Sequence, residues 1–159
     1  MAARNNVIIL TADPKGTFLE GVISGTPKPG TMVEMVPSTG AFFSGGRHQY
    51  RAATPGSNGK RGLVAILLPD MLQGKLITDA YVDGTRCFIY CPIAGEELNI
   101  LLADVAGTGD DHTVGERLMV QNGTGKFLVV TGTVHEAFQL LSASSNVTAD
   151  ALSPAVYLG

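Results

Sequence analysis

Arg86-Cys-Phe-Ile-Tyr-Cys-Pro-Ile-Ala-Gly-Glu-Glu-Leu-Asn-Ile-Leu-Leu-Ala103 is the stretch that decides the fold class. Two apolar runs, Cys87–Cys91 and Leu98–Ala103, flank a turn carrying Pro92 and Gly95. Each run is too short for an ordinary helix and has the length of a strand. On a strand rising about 3.3 Å per residue, Cys87 and Cys91 stand roughly 13 Å apart on one face. A disulfide needs Cα atoms within about 7 Å, so the pair reads as two separate buried thiols. The histidines, His48, His112 and His135, lie in unrelated contexts, and no metal site is expected.

The same pattern continues outward in both directions. Val7–Thr11, Phe18–Ser24, Thr31–Val36 and Leu63–Leu68 precede the central stretch; Arg117–Gln121, Phe127–Thr131, Ala137–Leu141 and Ala155–Leu158 follow it. Glycine, proline, asparagine and aspartate punctuate these runs. Lys28-Pro29-Gly30 makes a turn before Thr31, because proline presets one turn dihedral and glycine supplies the positive one. Asn122-Gly-Thr-Gly125 joins two runs as a hairpin. The expected fold is all-β: a small barrel or sandwich of about ten short strands, closed so that few strand edges remain. Residues 7–159 read as one such domain, 1–6 as a flexible polar arm, and 37–62 as a long loop or excursion. Helix is limited to a turn or two at Asp70–Ile77 and near Ser142–Ala151, and no repeat of 20 to 50 residues is visible.

Composition narrows the function classes. The chain has 159 residues, 45% hydrophobic and 16% charged, against roughly 25% charged in ordinary soluble domains. No apolar run approaches the ~20 residues of a membrane span, and the N-terminus reads as no signal peptide. Aromatics are 6% with no Trp and net charge is −3, which argues against a basic nucleic-acid binder or a base-stacking platform. Charge is unevenly placed. Between Glu34 and Asp70 there is no acidic residue, while Arg47, Arg51, Lys60 and Arg61 give that segment +4 and leave −7 elsewhere. A solvated loop, an acidic protein surface and nucleic acid are the three readings of that segment, the first two well ahead of the third.

Catalytic motifs are incomplete. Gly59-Lys60 and Gly125-Lys126 lack the glycine five positions earlier that a phosphate loop requires; Thr54 and Val120 stand there. Asp110-Asp111-His112 reads as an exposed acidic turn between Ala106 and Val114 rather than a metal site. Glu96-Glu97 and His135-Glu136 are adjacent pairs, which point to opposite faces of a strand and do not converge. Leu76-Ile-Thr-Asp-Ala-Tyr-Val-Asp-Gly84 resembles in part the hairpin motif of trimeric dUTP pyrophosphatases, but Val82-Asp83 replaces the basic residue, and a C-terminal phosphate clamp is missing. No catalytic residue and no cofactor is expected.

Taken as one unit, Thr78–Val130 carries a different resemblance. Asp79-Ala-Tyr-Val-Asp-Gly84 opens it, Pro92-Ile-Ala-Gly-Glu96 makes its central turn, and Val114-Gly-Glu-Arg-Leu118 leads into the glycine-rich hairpin at 122–125. This resembles the capsid decoration proteins of tailed bacteriophages, also called cement or head-stabilising proteins, over about a third of the chain. Val134-His-Glu-Ala-Phe-Gln-Leu-Leu141 would supply the next barrel strand. The resemblance implies a structural virion protein, not an enzyme, made in the host cytoplasm and placed on the outer capsid surface. It implies the major capsid protein and further copies of the chain, as a homotrimer, for partners, with no membrane and no nucleic acid. Arg4, Arg47, Arg51, Lys60 and Arg61 are the candidate capsid contacts.

Overall fold

The structure, a computed structural model, describes residues 8–36, 47–54, 64–103, 110–121, 123–129, 138–147 and 151–159. Of the described chain, 47% is strand and 2% helix, so the class is all-β. In chain order the strands are β1 (Thr17–Ser24), β2 (Met32–Met35), β3 (Gln49–Ala52), β4 (Ala65–Leu67), β5 (Arg86–Cys91) and β6 (Glu97–Leu102). There follow β7 (Asp110–His112), β8 (Arg117–Val120), β9 (Phe127–Val129), β10 (Phe138–Leu140), β11 (Ser144–Val147) and β12 (Ala151–Tyr157).

Ten of these strands close two separate rings. The first runs β1-β3-β2-β4-β5 and the second β6-β9-β8-β10-β12, each last strand returning to its first. Numbered within its own ring, each follows the order first, third, second, fourth, fifth. In each ring only the first and third strands are parallel: Val22↔Gln49 through Ser24↔Arg51 in one, Leu102↔Phe127 in the other. The long antiparallel seams are β1 with β5, Thr17↔Cys91 to Val22↔Arg86, and β12 with β6, Ala151↔Leu102 to Val156↔Glu97. β7 and β11 pair apart as a two-stranded sheet.

Several local expectations change. The segment 37–62, read as an excursion, contains β3, a strand of the first ring. Its sequence Gln-Tyr-Arg-Ala buries only Tyr50, which left little apolar pattern to read. Asp110–His112 is a strand rather than an exposed turn, and Ser144–Val147 is a strand where helical turns were expected. Val7–Thr11 contributes a single bridge, Ile9↔Leu98. Asp70–Ile77 holds one 3-10 turn, Met71–Gln73. The arm 1–6 with Arg4, the pair Lys60 and Arg61, and His135-Glu136 lie outside the described residues.

The central stretch now explains itself. Cys87, Ile89 and Cys91 of β5 and Ala65 and Leu67 of β4 face the interior of the first ring, with Ile23, Val33 and Tyr50. Ile66 and Tyr90, between them in sequence, point outward and join the core of the second ring, whose own members include Leu98, Ile100, Leu102, Phe127 and Phe138. Strands buried on both faces read as continuous apolar runs rather than alternating ones. Burying a large apolar side chain stabilises by roughly 1.5–3 kcal/mol, so Ile66 and Tyr90 tie the rings together. Backbone bonds complete the tie: Leu101 N–H donates to Gly30 O at 3.0 Å, and Met32 N–H to Gly125 O at 2.8 Å. Gly125 has φ +65, and a Cβ there would collide with the Met32 carbonyl and stand 2.6 Å from Thr31 Cγ2. Only glycine fits this approach.

Candidate functional site

Two of the five charged candidates can be placed, and each is already paired. Arg47 reaches Glu20 at 3.0 Å, and Arg86 binds the same carboxylate. Arg51 stands opposite Glu34 in the β2–β3 register. Its Nε donates to Glu34 Oε1 at 2.9 Å, and the Thr54 hydroxyl donates to the same oxygen at 2.6 Å. Arg47 and Arg51 thus rest on different carboxylates, and the structure does not gather them into one site.

Arg51 does converge with cations that the sequence did not single out. A cleft of about 470 Å³ opens where the rings meet. The β1–β2 connection supplies Ser24 through Lys28 and Thr31, β3 and the chain after it supply Arg51 and Thr54, and the β8–β9 hairpin supplies Thr124 and Lys126. Among the described residues its lining carries three cations and no carboxylate; Arg51 is paired with Glu34, and Lys126 is engaged within the protein as well. The Lys28 side chain is exposed and makes no ion pair among the described residues. In sequence, Lys28 and Lys126 belong to a turn and a hairpin far apart; only the docking of the rings brings them together.

Most perturbed ionisable groups are pushed toward their neutral forms. Burial raises the Cys87 thiol to about 12 and also raises Cys91; thiols so placed are poor nucleophiles. Burial raises the Tyr90 phenol to about 12, helped by its hydrogen bond to Glu96, and burial raises Tyr50 and Tyr81 as well. Glu96 is the exception. Burial alone would push its carboxyl up, but bonds from the Tyr90 hydroxyl and the amides of Ile93, Lys15 and Gly16 outweigh that and hold it below the usual range. Tyr90 O–H donates to Oε2 at 2.7 Å, Ile93 N–H to Oε2 at 2.9 Å and Gly16 N–H to Oε1 at 3.2 Å. Glu96 is therefore a clasp at the junction of the rings, with its acceptor capacity used by the protein itself.

The dUTP pyrophosphatase-like residues are similarly engaged. Tyr81 O–H donates to Leu68 O at 2.7 Å, the Asp79 carboxylate accepts from Leu76 N–H at 2.9 Å, and Asp83 accepts from Gly25 N–H at 2.7 Å. All three shape backbone. His112 is buried with Nδ1 3.6 Å from Glu116. No group of three His, Cys, Asp or Glu side chains among the described residues is placed to hold a metal, and no helix among them is long and apolar enough to cross a membrane. Set against known proteins, the chain matches no family model and no curated protein.

Proposed function

We propose that this chain is a structural virion protein that binds the outer surface of a tailed-bacteriophage capsid and stabilises the expanded shell by bridging capsomers, acting as a homotrimer with the major capsid protein as its partner. One structural observation supports this reading above others: large apolar side chains stand exposed around both rings, from Phe18 at 58% and Leu72 at 74% to Val114 at 64% and Leu158 at 39%. With charge at only 16% of residues, that is a surface suited to cover rather than to open water. The resemblance carried by Thr78–Val130 points the same way.

Closed rings offer few free strand edges, so contact falls to side chains and connections rather than to strand addition. A coat of such chains works by mass action: binding the expanded lattice and not its dissociated parts stabilises the lattice, and many weak contacts add through multivalency. The test is to add purified chain to expanded shells of the cognate capsid protein. Co-sedimentation with the shells and a rise in their disruption temperature are expected. A chain that stays in the supernatant would favour the alternative, another phage β-barrel structural module of the tail, baseplate or receptor-binding kind, and magnesium-dependent release of pyrophosphate from dUTP would make it an enzyme.

A further inference from the structure

We infer that the segment Ile8–Thr11 is an exchangeable strap which, in the assembled state, leaves its own second ring and pairs with β6 of a second copy of the chain. The edge of β6 that faces away from β12 is divided among three partners. Phe127 O accepts from Ala103 N–H at 2.7 Å, Gly30 O from Leu101 N–H at 3.0 Å, and Ile8 O from Asn99 N–H at 2.7 Å. The strap adds Leu10 N–H to Glu97 O at 2.9 Å, Glu97 N–H to the Thr11 hydroxyl at 2.8 Å, and the bridge Ile9↔Leu98. β9 itself meets β6 only at Leu102↔Phe127. The strap therefore fills a stretch of wall that the strands of the second ring leave open, and Ile8, 2% exposed, belongs to that ring's core.

Two observations favour exchange between copies. The strap joins β1 through Ala12-Asp13-Pro14, a short connection that bends at Ala12 and Asp13, although the residue before a proline prefers an extended backbone. Straightening this hinge sends the strap to a neighbour, where an identical β6 offers the same bonds, so the exchange gives up none of the strap's contacts. Short hinges invite such exchange. The second observation is an apolar face at the hinge itself. The Glu96 carboxylate, which accepts from Lys15 and Gly16 N–H just beyond the hinge, also accepts from Ile93 N–H and the Tyr90 hydroxyl. Phe18 lies against the Tyr90 ring, centroids 4.8 Å apart, and Leu158 follows Tyr157, whose N–H donates to Glu96 O at 2.9 Å. Phe18, Ile93 and Leu158 are 58%, 48% and 39% exposed, and a copy that gives or receives a strap here covers them. In setting the number of copies at three, the inference rests on the homotrimer proposed above; the exchange itself does not.

The test uses Ile9→Cys and Leu98→Cys in separate chains. Antiparallel partners stand about 4.5–5.5 Å apart between Cα atoms, within the span of a disulfide. The two chains are unfolded together, refolded as a mixture, mildly oxidised and run on a non-reducing denaturing gel. A band at twice the chain mass, containing one chain of each kind, is expected. Cys87 and Cys91 are buried, and Ile9→Cys refolded alone reports any linkage through them. A second measurement needs no substitution: in a refolded mixture of isotope-labelled and unlabelled chains, isotope-filtered NOEs between Ile9 of one chain and Leu98 of another are expected. No mixed band from folded chains, or NOEs confined within one chain, overturns the exchange. Light scattering separates the two proposals. A trimer whose straps stay on their own β6 leaves the homotrimer standing and refutes the exchange. A dimer with interchain links keeps the exchange and refutes the homotrimer, and a monomer refutes both.

Discussion

The two rings are wired alike and filled differently. Both follow one strand order with a single parallel pair, yet the first encloses Tyr50, Tyr81, Cys87 and Cys91 among its aliphatic residues, while the second's own strands fill it with Leu, Ile, Phe and Ala155, with Phe127 and Phe138 edge to face at 5.1 Å, and its tyrosine, Tyr90, comes from the first ring. The same closure thus accepts two kinds of core. Where polar atoms enter the first ring they need partners, as Tyr81 finds in Leu68 O. Dependence between the rings is unequal: the second ring's core includes Ile66 and Tyr90 from the first, whereas the first ring's core is drawn from its own strands and connections.

Chemical labelling offers the largest effect with which to probe that inequality. Both cysteines lie in the first ring, and a Cys87 thiol raised from 9.0 to about 12 holds about a thousandfold less thiolate at pH 8. Native-state labelling of Cys87 by iodoacetamide is expected to be suppressed by at least that factor and to follow the opening of the first ring, with Cys91 slowed as well. Labelling faster than global unfolding would show that this ring opens alone. Next in size, Phe127→Ala in the second ring is expected to cost about 3–5 kcal/mol in urea unfolding and Ile89→Ala in the first about 2–5 kcal/mol. A larger loss at Ile89 would reverse the ranking of the two cores.

Gly125→Ala tests the joint rather than either ring. Its positive φ and the collision with Met32 together should cost about 2–4 kcal/mol, whereas Gly95→Ala, with φ +90 and open space around it, should lose only about 1–2 kcal/mol. Equal losses would mean that the rings do not need the Gly125 contact. Glu96→Gln should cost about 1–3 kcal/mol at neutral pH, because an amide cannot accept from all four donors. Glu96 is held below its ordinary value of 4.5, so its contribution is complete above about pH 4.5 and fades as pH falls through the lower folded value. The difference between Glu96→Gln and the unaltered chain should therefore narrow in acid; a difference constant from pH 7 to pH 3 would contradict the assigned charge.

Sequence pattern revealed strands better than it revealed rings. Nine of the expected strands coincide with strands of the structure, since each carries enough β-branched or aliphatic residues to stand out between turns. β3 was hidden because one residue in four is buried, and β7 and β11 because their residues are mostly polar. The division into two rings was illegible for a sharper reason. Leu-Asn-Ile-Leu-Leu in β6 and Ala-Ile-Leu in β4 announce burial on both faces, but a run of that kind does not say whether the second face belongs to the same barrel or to a neighbour. The cleft was hidden by the same fact: Arg51 was visible as charge, while Lys28 and Lys126 come to line one cleft with it only once the rings dock.

Ile66 and Tyr90 have a consequence during synthesis. All five strands of the first ring precede Pro92, so that ring can close while the rest of the chain is still on the ribosome, and N-terminal units generally fold first at elongation rates of roughly 5–20 residues per second. Its outward side chains then face water until β12, the last strand of the second ring, has emerged at Tyr157. For those seconds the nascent protein is a finished barrel with an unfinished wall, and a pause between Pro92 and Tyr157 would lengthen the interval in which that wall can meet the wrong partner.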